Sequence, residues 1–449
     1  MSRPHLLYLA FFYPPSRSSG VHRALATTRA FIEAGWAVTV LTTTERFFEE
    51  EIGSIDPTLL ELIPEDANVI RVPFSFRVGQ PTTDLREFGW VRGNMPLFWN
   101  GLRTRAGKLV RAYSVLKGES PLSYPMDDRY LAWIEPVVQR ARHLFGDQPF
   151  DHILATGNPY ASFEAARLLS GMTNARFTID YRDPWAFDMR TGSEASLSAA
   201  TFAAEERIVE QAWACIQVNE AIADAYRNRF PGAAERQFVV PNGYDAESIP
   251  ELRGDYSGGP LVFGMLGTVT DLWPLGPLFE AWHLVRGSLP AGSSIILGGH
   301  LGYFHWSAEP LLSSFPEQAA GFVYVGPVPK KAVAEFYSRL DVVIVPLFGG
   351  PMVTAGKVYE TAALGIPVLC IQREDGGARR IFSNLPLSVG AAPETKEILA
   401  AIRGATALAQ NVSQAERRAA RSSVESFERT VAMGNLVDVV EGAIVRSQA

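Results

Sequence analysis

The chain has little cysteine. Its two thiols, Cys215 and Cys370, each sit in an apolar run that reads as a buried strand. That leaves no disulfide framework and fits a reducing, cytoplasmic compartment. Excess positive charge is also missing, with 41 Lys and Arg against 48 Asp and Glu and a net charge of -7. This argues against a nucleic-acid binder. No apolar run is long enough to span a bilayer, and Leu6 to Tyr13 is too short for a signal-peptide core. His300 and His305 have no Cys or carboxylate beside them at metal-ligand spacing, so no metal is expected. The loop "YPPSRSSG" is not G-x-G-x-x-G, which speaks against a dinucleotide oxidoreductase. No short repeat or low-complexity tract occurs.

What is present is ordinary globular material, 47% hydrophobic and 20% charged. A length of 449 residues is too much for one core. The chain alternates short apolar runs with helical patterns: "HLLYLAFF", a helix from Val21 to Ala34, "AVTVLT", "HILA", "RFTID", a helix over about 194–214, and "CIQV". Strands alternating with helices predict an α/β protein with a parallel, doubly wound sheet. After Tyr244 the text turns polar and rich in Gly and Pro, which reads as a linker. A second series follows: "LVFGML", "SIILGG", "FVYVG", "VVIVP" and "VLCI". Two Rossmann-like domains facing a cleft are expected, 1–247 and 248–427. A C-terminal helix, 428–449, is expected to cross back to the first.

In such sheets ligands sit beyond the carboxyl ends of the strands. Just there, in "GKVYETAALGIPVLCI", Lys357 and Glu360 share one face of a helix expected to start near Thr354. A cation for a diphosphate and an acceptor for ribose hydroxyls describe a nucleotide site. From spacing alone, an ordinary surface ion pair between the two is the commoner case. "DYRDPWAFD" places Asp180, Arg182, Asp183 and Asp188 beyond another strand end. Arg182 and Asp183 are candidates for sugar or acceptor binding, or for an ion pair that fixes the loop. Trp185 reads as a wall. Gly20, at the first helix start, His22 after it, and Asn158 and Tyr160, after "HILATG", are candidate acceptor-side residues. For Asn158 a helix cap is as good a reading, and for His22 a helix-surface histidine is the commoner case.

Four stretches carry a resemblance. "GKVYETAALGIPVL" resembles the C-terminal signature of glycosyltransferase family 4, retaining enzymes of the GT-B fold. "VVPNGYD" resembles that family's entry to its second domain, "TIDYRDPW" a strand-loop of one of its branches, and "LYLAFFYPPSRSSGVHRA" its first strand and acceptor-side glycine loop. The resemblance implies a transfer from a nucleoside diphosphate sugar to a hydroxyl acceptor with retention. No cofactor is implied. Glu360 would hold the donor ribose, and Lys357, Thr354 and Gly356 would face the diphosphate. Gly267 and Thr268 take the place of the family's G-R-x-x-x-K loop, without its cations. Met352 stands where the first glutamate of E-x7-E is common. Lys357, Arg182 and Asp183 are the candidate catalytic residues. No Asp-x-Asp occurs, the motif of metal-dependent GT-A transferases. A nucleotide-sugar 2-epimerase of the same fold and a nucleotide-sugar-binding subunit remain alternatives.

One segment stands apart. Leu97 to Lys117 carries Arg103, Arg105, Lys108, Arg111 and Lys117 and no acid, with Leu102, Leu109, Tyr113 and Leu116 near helical spacing. It reads as a core helix with a solvated basic face, or as a peripheral contact with the inner membrane surface.

Overall fold

The computed structural model describes residues 3–53, 55–74, 126–270, 272–302, 308–316 and 321–448. The basic segment 97–117 lies outside the described residues. The chain divides into two compact units.

The first unit holds residues 1–188, 194–240 and 433–449. Its seven-stranded sheet runs β3-β2-β1-β4-β5-β6-β7, all parallel. The strands are β1 (His5–Leu9), β2 (Ala37–Thr42), β3 (Ala67–Arg71), β4 (His152–Gly157), β5 (Arg176–Tyr181), β6 (Ala214–Gln217) and β7 (Gln237–Val239). β1 and β4 are buried along their whole length, as central strands with both faces covered must be. β3, at an edge, is half-exposed. The helix Val21–Glu33 buries Val21, Ala24, Leu25, Thr28 and Phe31 against this sheet. It stops before Gly35, whose φ of 90° only glycine adopts easily.

The helix expected over 194–214 is shorter, Ala199–Gln211. Glu194 instead bridges to Phe187 and pairs with Arg229 at 2.8 Å. Ser198 then starts the helix by accepting from the Thr201 N–H.

The second unit holds residues 189–193 and 241–432. Its six strands run β10-β9-β8-β11-β12-β13, again parallel. They are β8 (Val262–Leu266), β9 (Ser294–Gly298), β10 (Phe322–Gly326), β11 (Val342–Pro346), β12 (Val368–Ile371) and β13 (Ser388–Ala391). One face packs on Leu278, Trp282, Ile398 and Ile402. The other packs on Phe336, Val358, Leu364 and Phe382. Where this unit begins and ends, Tyr244 and Phe427–Arg429 pair through their backbones, and Asp245 bonds to both Lys330 and Arg429.

The last helix, Arg429–Gln448, leaves the second unit and joins the first. There Thr27 Oγ1 donates to Met433 Sδ at 3.2 Å, and Trp36 Nε1 donates to Glu441 at 3.1 Å. No described helix is long and apolar enough to cross a membrane.

Candidate functional site

Each sheet has one place where the strand order turns back on itself: between β1 and β4, and between β8 and β11. Loops that leave such neighbours go to opposite faces and open a crevice at the carboxyl ends. The candidate residues fall at these two places.

In the first unit the loop after β5 meets the loops after β1 and β4. Arg182 Nε donates to Gly157 O at 3.1 Å, and its Nη2 to Asn158 O at 2.7 Å. The Nη1 end of the guanidinium is pressed against Gly20. A Cβ there would fall 1.0 Å from Arg182 Nη1, so no other residue fits without moving it. The loop-fixing Arg182–Asp183 pair does not form; Arg182 fixes the loop through carbonyls instead. Asn158 is exposed and His22 half-buried on the helix that follows Gly20.

Tyr160 stacks on Trp185, ring centres 4.5 Å apart and planes 8° off parallel. Its hydroxyl donates to Asp183 O at 3.2 Å and Pro184 O at 3.1 Å. Tyr160 therefore acts in holding this loop. Its own N–H donates to Asp128 at 2.8 Å, and burial pushes that carboxyl up to about 6. Beneath the loop, Tyr226 OH accepts from the N–H groups of Trp185 (2.8 Å) and Ala186 (3.2 Å). The same hydroxyl donates to Glu205 at 2.5 Å, and Tyr181 OH donates to Glu205 at 2.9 Å. Burial pushes Glu205 up to about 7, against the pull of these two donors.

Asp180 is not at the crevice. It lies inside β5 with 0% exposure and takes two bonds from Arg23, at 2.8 and 2.7 Å. Arg23 also donates to Val240 O at 3.1 Å. A buried carboxylate of this kind needs a cation to avoid a large desolvation cost, and the helix Val21–Glu33 supplies it. Asp188 is exposed.

In the second unit, Gly267 follows β8 and bonds through its N–H to Gly298 O at 3.1 Å. The approach is close because Gly299, with φ of 130°, has no Cβ; one built there would lie 1.8 Å from Gly267 O. Thr268 is half-buried in the same loop. Val269 then pairs with the loop after β9, donating to His300 O at 2.8 Å. After β11 the chain turns at Gly349 and Gly350, and Gln372 pins it. Gln372 Nε2 donates to Gly349 O at 3.4 Å, while its Oε1 accepts from the N–H groups of Ala378 and Arg379.

The helix expected from Thr354 begins at Gly356, because Ala355 is extended and no side chain caps the end. It is only seven residues long, so its dipole adds little and Lys357 is the substantial charge. Lys357 Nζ lies 2.6 Å from Glu360 Oε1, and the buried Tyr337 donates its hydroxyl to the same oxygen at 2.5 Å. Burial and the nearby Glu360 carboxylate raise the Tyr337 hydroxyl well above its ordinary pKa. The ion pair foreseen from spacing thus forms, at the start of the helix that follows β11. Met352 is buried at 4% exposure, part of the loop's packing. Among the described residues no group of His, Cys, Asp and Glu could hold a metal ion.

Sequence reasoning missed Tyr337, Gln372, Glu205 and Tyr226. For Gln372 a signal existed: it is the first polar residue after the buried run "VLCI". The other three act through contacts between distant segments, which no local pattern records.

No family model matches the chain, and no curated protein matches it. Solved structures do. A glycosyltransferase from Rickettsia africae superposes with a TM-score of 0.68 at 12% identity, over 99% of this chain and 99% of that one. HepE from Anabaena, in complex with UDP, gives 0.62 at 15% identity, over 98% and 100%. A Listeria monocytogenes protein named as a UDP-N-acetylglucosamine 2-epimerase gives 0.57 at 11% identity, over 99% and 98%. At these identities the likeness establishes the fold: two Rossmann-like domains of the GT-B type.

Proposed function

We propose that the chain transfers a sugar from a nucleoside diphosphate sugar to a hydroxyl acceptor, with retention and without a metal. The observation that carries this is the Lys357–Glu360–Tyr337 cluster at the start of the helix that follows β11, in a fold of the GT-B type. Glu360 accepts from the donor ribose. Lys357 faces the diphosphate, with the backbone of Thr354 and Gly356 and the loop of Gly267 and Thr268 around it. As the bond from the anomeric carbon to the phosphate oxygen breaks, negative charge grows on the leaving diphosphate, and Lys357 stabilises it. The acceptor oxygen bonds to the anomeric carbon and its proton passes to the departing phosphate oxygen. Gly20, His22 and Asn158 form the acceptor side, Tyr160 holds the loop beside them, and Arg182 and Asp183 are the catalytic candidates on that loop.

The 2-epimerase reading has its own support in the Listeria structure of the same fold. Product analysis separates the two. The purified chain is incubated with UDP-, GDP- and dTDP-sugars, with and without hydroxyl acceptors. Transfer requires an acceptor and forms a glycoside. Epimerised sugar formed without any acceptor would replace this proposal with the rival. Binding with no turnover on any acceptor would leave a nucleotide-sugar-binding subunit.

A further inference from the structure

Arg182 and Asp183 are chain neighbours of opposite charge that do not bond to each other. Arg182 spends Nε and Nη2 on the carbonyls of Gly157 and Asn158. Among the described residues its Nη1 has no acceptor. The Asp183 main-chain oxygen accepts from Tyr160, but its carboxylate has no hydrogen bond and no ion pair among the described residues. Both side chains are half-buried. Burial raises the Asp183 carboxyl, and the nearby Arg182 guanidinium lowers it.

Both groups are also held in place. The two carbonyls and the bare face of Gly20 fix the guanidinium. Tyr160 holds the Asp183 and Pro184 carbonyls, and Tyr226 holds the next two N–H groups. Two fixed, unused groups of opposite charge suit a ligand that brings the complement of each. A guanidinium edge suits an oxyanion, and a carboxylate accepts from hydroxyls.

We infer that the acceptor carries a phosphate or carboxylate, bound at Arg182 Nη1, beside a hydroxyl that donates to Asp183. This rests on the acceptor role proposed for this crevice.

The test titrates the full chain with glycerol 3-phosphate, glycerate and glycerol by calorimetry. Binding of glycerol 3-phosphate or glycerate well above glycerol is expected, and whichever is tighter identifies the oxyanion. Arg182→Gln should lose roughly ten- to a hundredfold, the worth of a charge-assisted hydrogen bond. Asp183→Asn should bind the anion more tightly, since it removes a like charge from beside it. This nearly isosteric variant carries the test if Arg182→Gln folds poorly. Lys357→Ala should leave the anion affinity unchanged.

No preference over glycerol, no response to Arg182→Gln and Asp183→Asn, or an equal loss in Lys357→Ala would each overturn the inference. So would an equal loss of UDP and glycerol 3-phosphate in Arg182→Gln, which would assign the arginine to the donor. UDP that fails to bind the unmodified chain would sink the donor reading, while the anion titration would still be interpretable.

Discussion

Replacing Lys357 by alanine should weaken a nucleoside diphosphate more than a nucleoside, and the structure sets the size of the difference. A charged hydrogen bond from lysine to a diphosphate is worth about 1.5–3 kcal/mol. Lys357 is not idle without ligand: it pairs with Glu360 at 2.6 Å, with side-chain exposures of 35% and 15%. A partly exposed pair of this kind contributes about 0.5–1 kcal/mol, and a diphosphate must compete with it. The net is about 0.5–2.5 kcal/mol, or roughly two- to seventyfold in affinity. Free nucleoside should change little. Glu360→Gln should behave differently. It weakens the ribose contact by about 1 kcal/mol, so nucleoside falls roughly fivefold. It also frees Lys357 from its partner, so nucleoside diphosphate should fall less. Calorimetric titration of uridine and UDP, or the corresponding pair for another base, against both variants supplies the four numbers. Equal losses of both ligands in Lys357→Ala would make the lysine structural. A Glu360→Gln variant indifferent to nucleoside would refute the ribose assignment.

Other outcomes follow from the packing. Asp180→Asn leaves Arg23 buried beside a neutral partner and should cost about 3–5 kcal/mol in a denaturant melt; a cost below 1 kcal/mol would mean that water or another group compensates. Gly299→Ala forces a Cβ onto Gly267 O at an unfavourable φ, and should cost about 3 kcal/mol or more, read in the same melt; an unchanged midpoint would mean that the two loops separate freely. Glu205 keeps its proton in the folded state up to about pH 7 against an ordinary value of 4.5. Its contribution to stability is therefore full below pH 4.5 and lost as pH rises to about 7. Glu205→Gln removes that titration, so the wild-type minus variant stability should fall by roughly 3 kcal/mol across the window; a flat difference would contradict the burial argument. If the basic segment 97–117 meets lipid, the chain should co-sediment with anionic vesicles at low salt, and no binding there would leave a soluble acceptor.

The central strands were legible because they are buried on both faces and read as unbroken apolar runs, "HLLYL" and "VVIVP" among them. The edge strands β3 and β13 were not. "ANVIR" and "SVGA" are short and half-exposed, and nothing in them rises above a loop. Four charged residues after "RFTI" were visible as a cluster, but not their division of labour. Only the fold shows that Asp180 turns inward to Arg23 while Arg182 reaches the carbonyls of another loop. The Lys357–Glu360 spacing gave away the pair. Tyr337, bonded to the same oxygen from another helix, could not be found by any local rule.

The proposed transfer depends on where the donor nucleotide binds. A crystal structure of the chain soaked with a nucleoside diphosphate tests this most directly. The diphosphate is expected within about 3 Å of Lys357 Nζ, with a ribose hydroxyl on the Glu360 carboxylate and Tyr337 still bonded to Glu360. A nucleotide bound elsewhere, with the Lys357–Glu360 pair closed and untouched, would contradict the proposal.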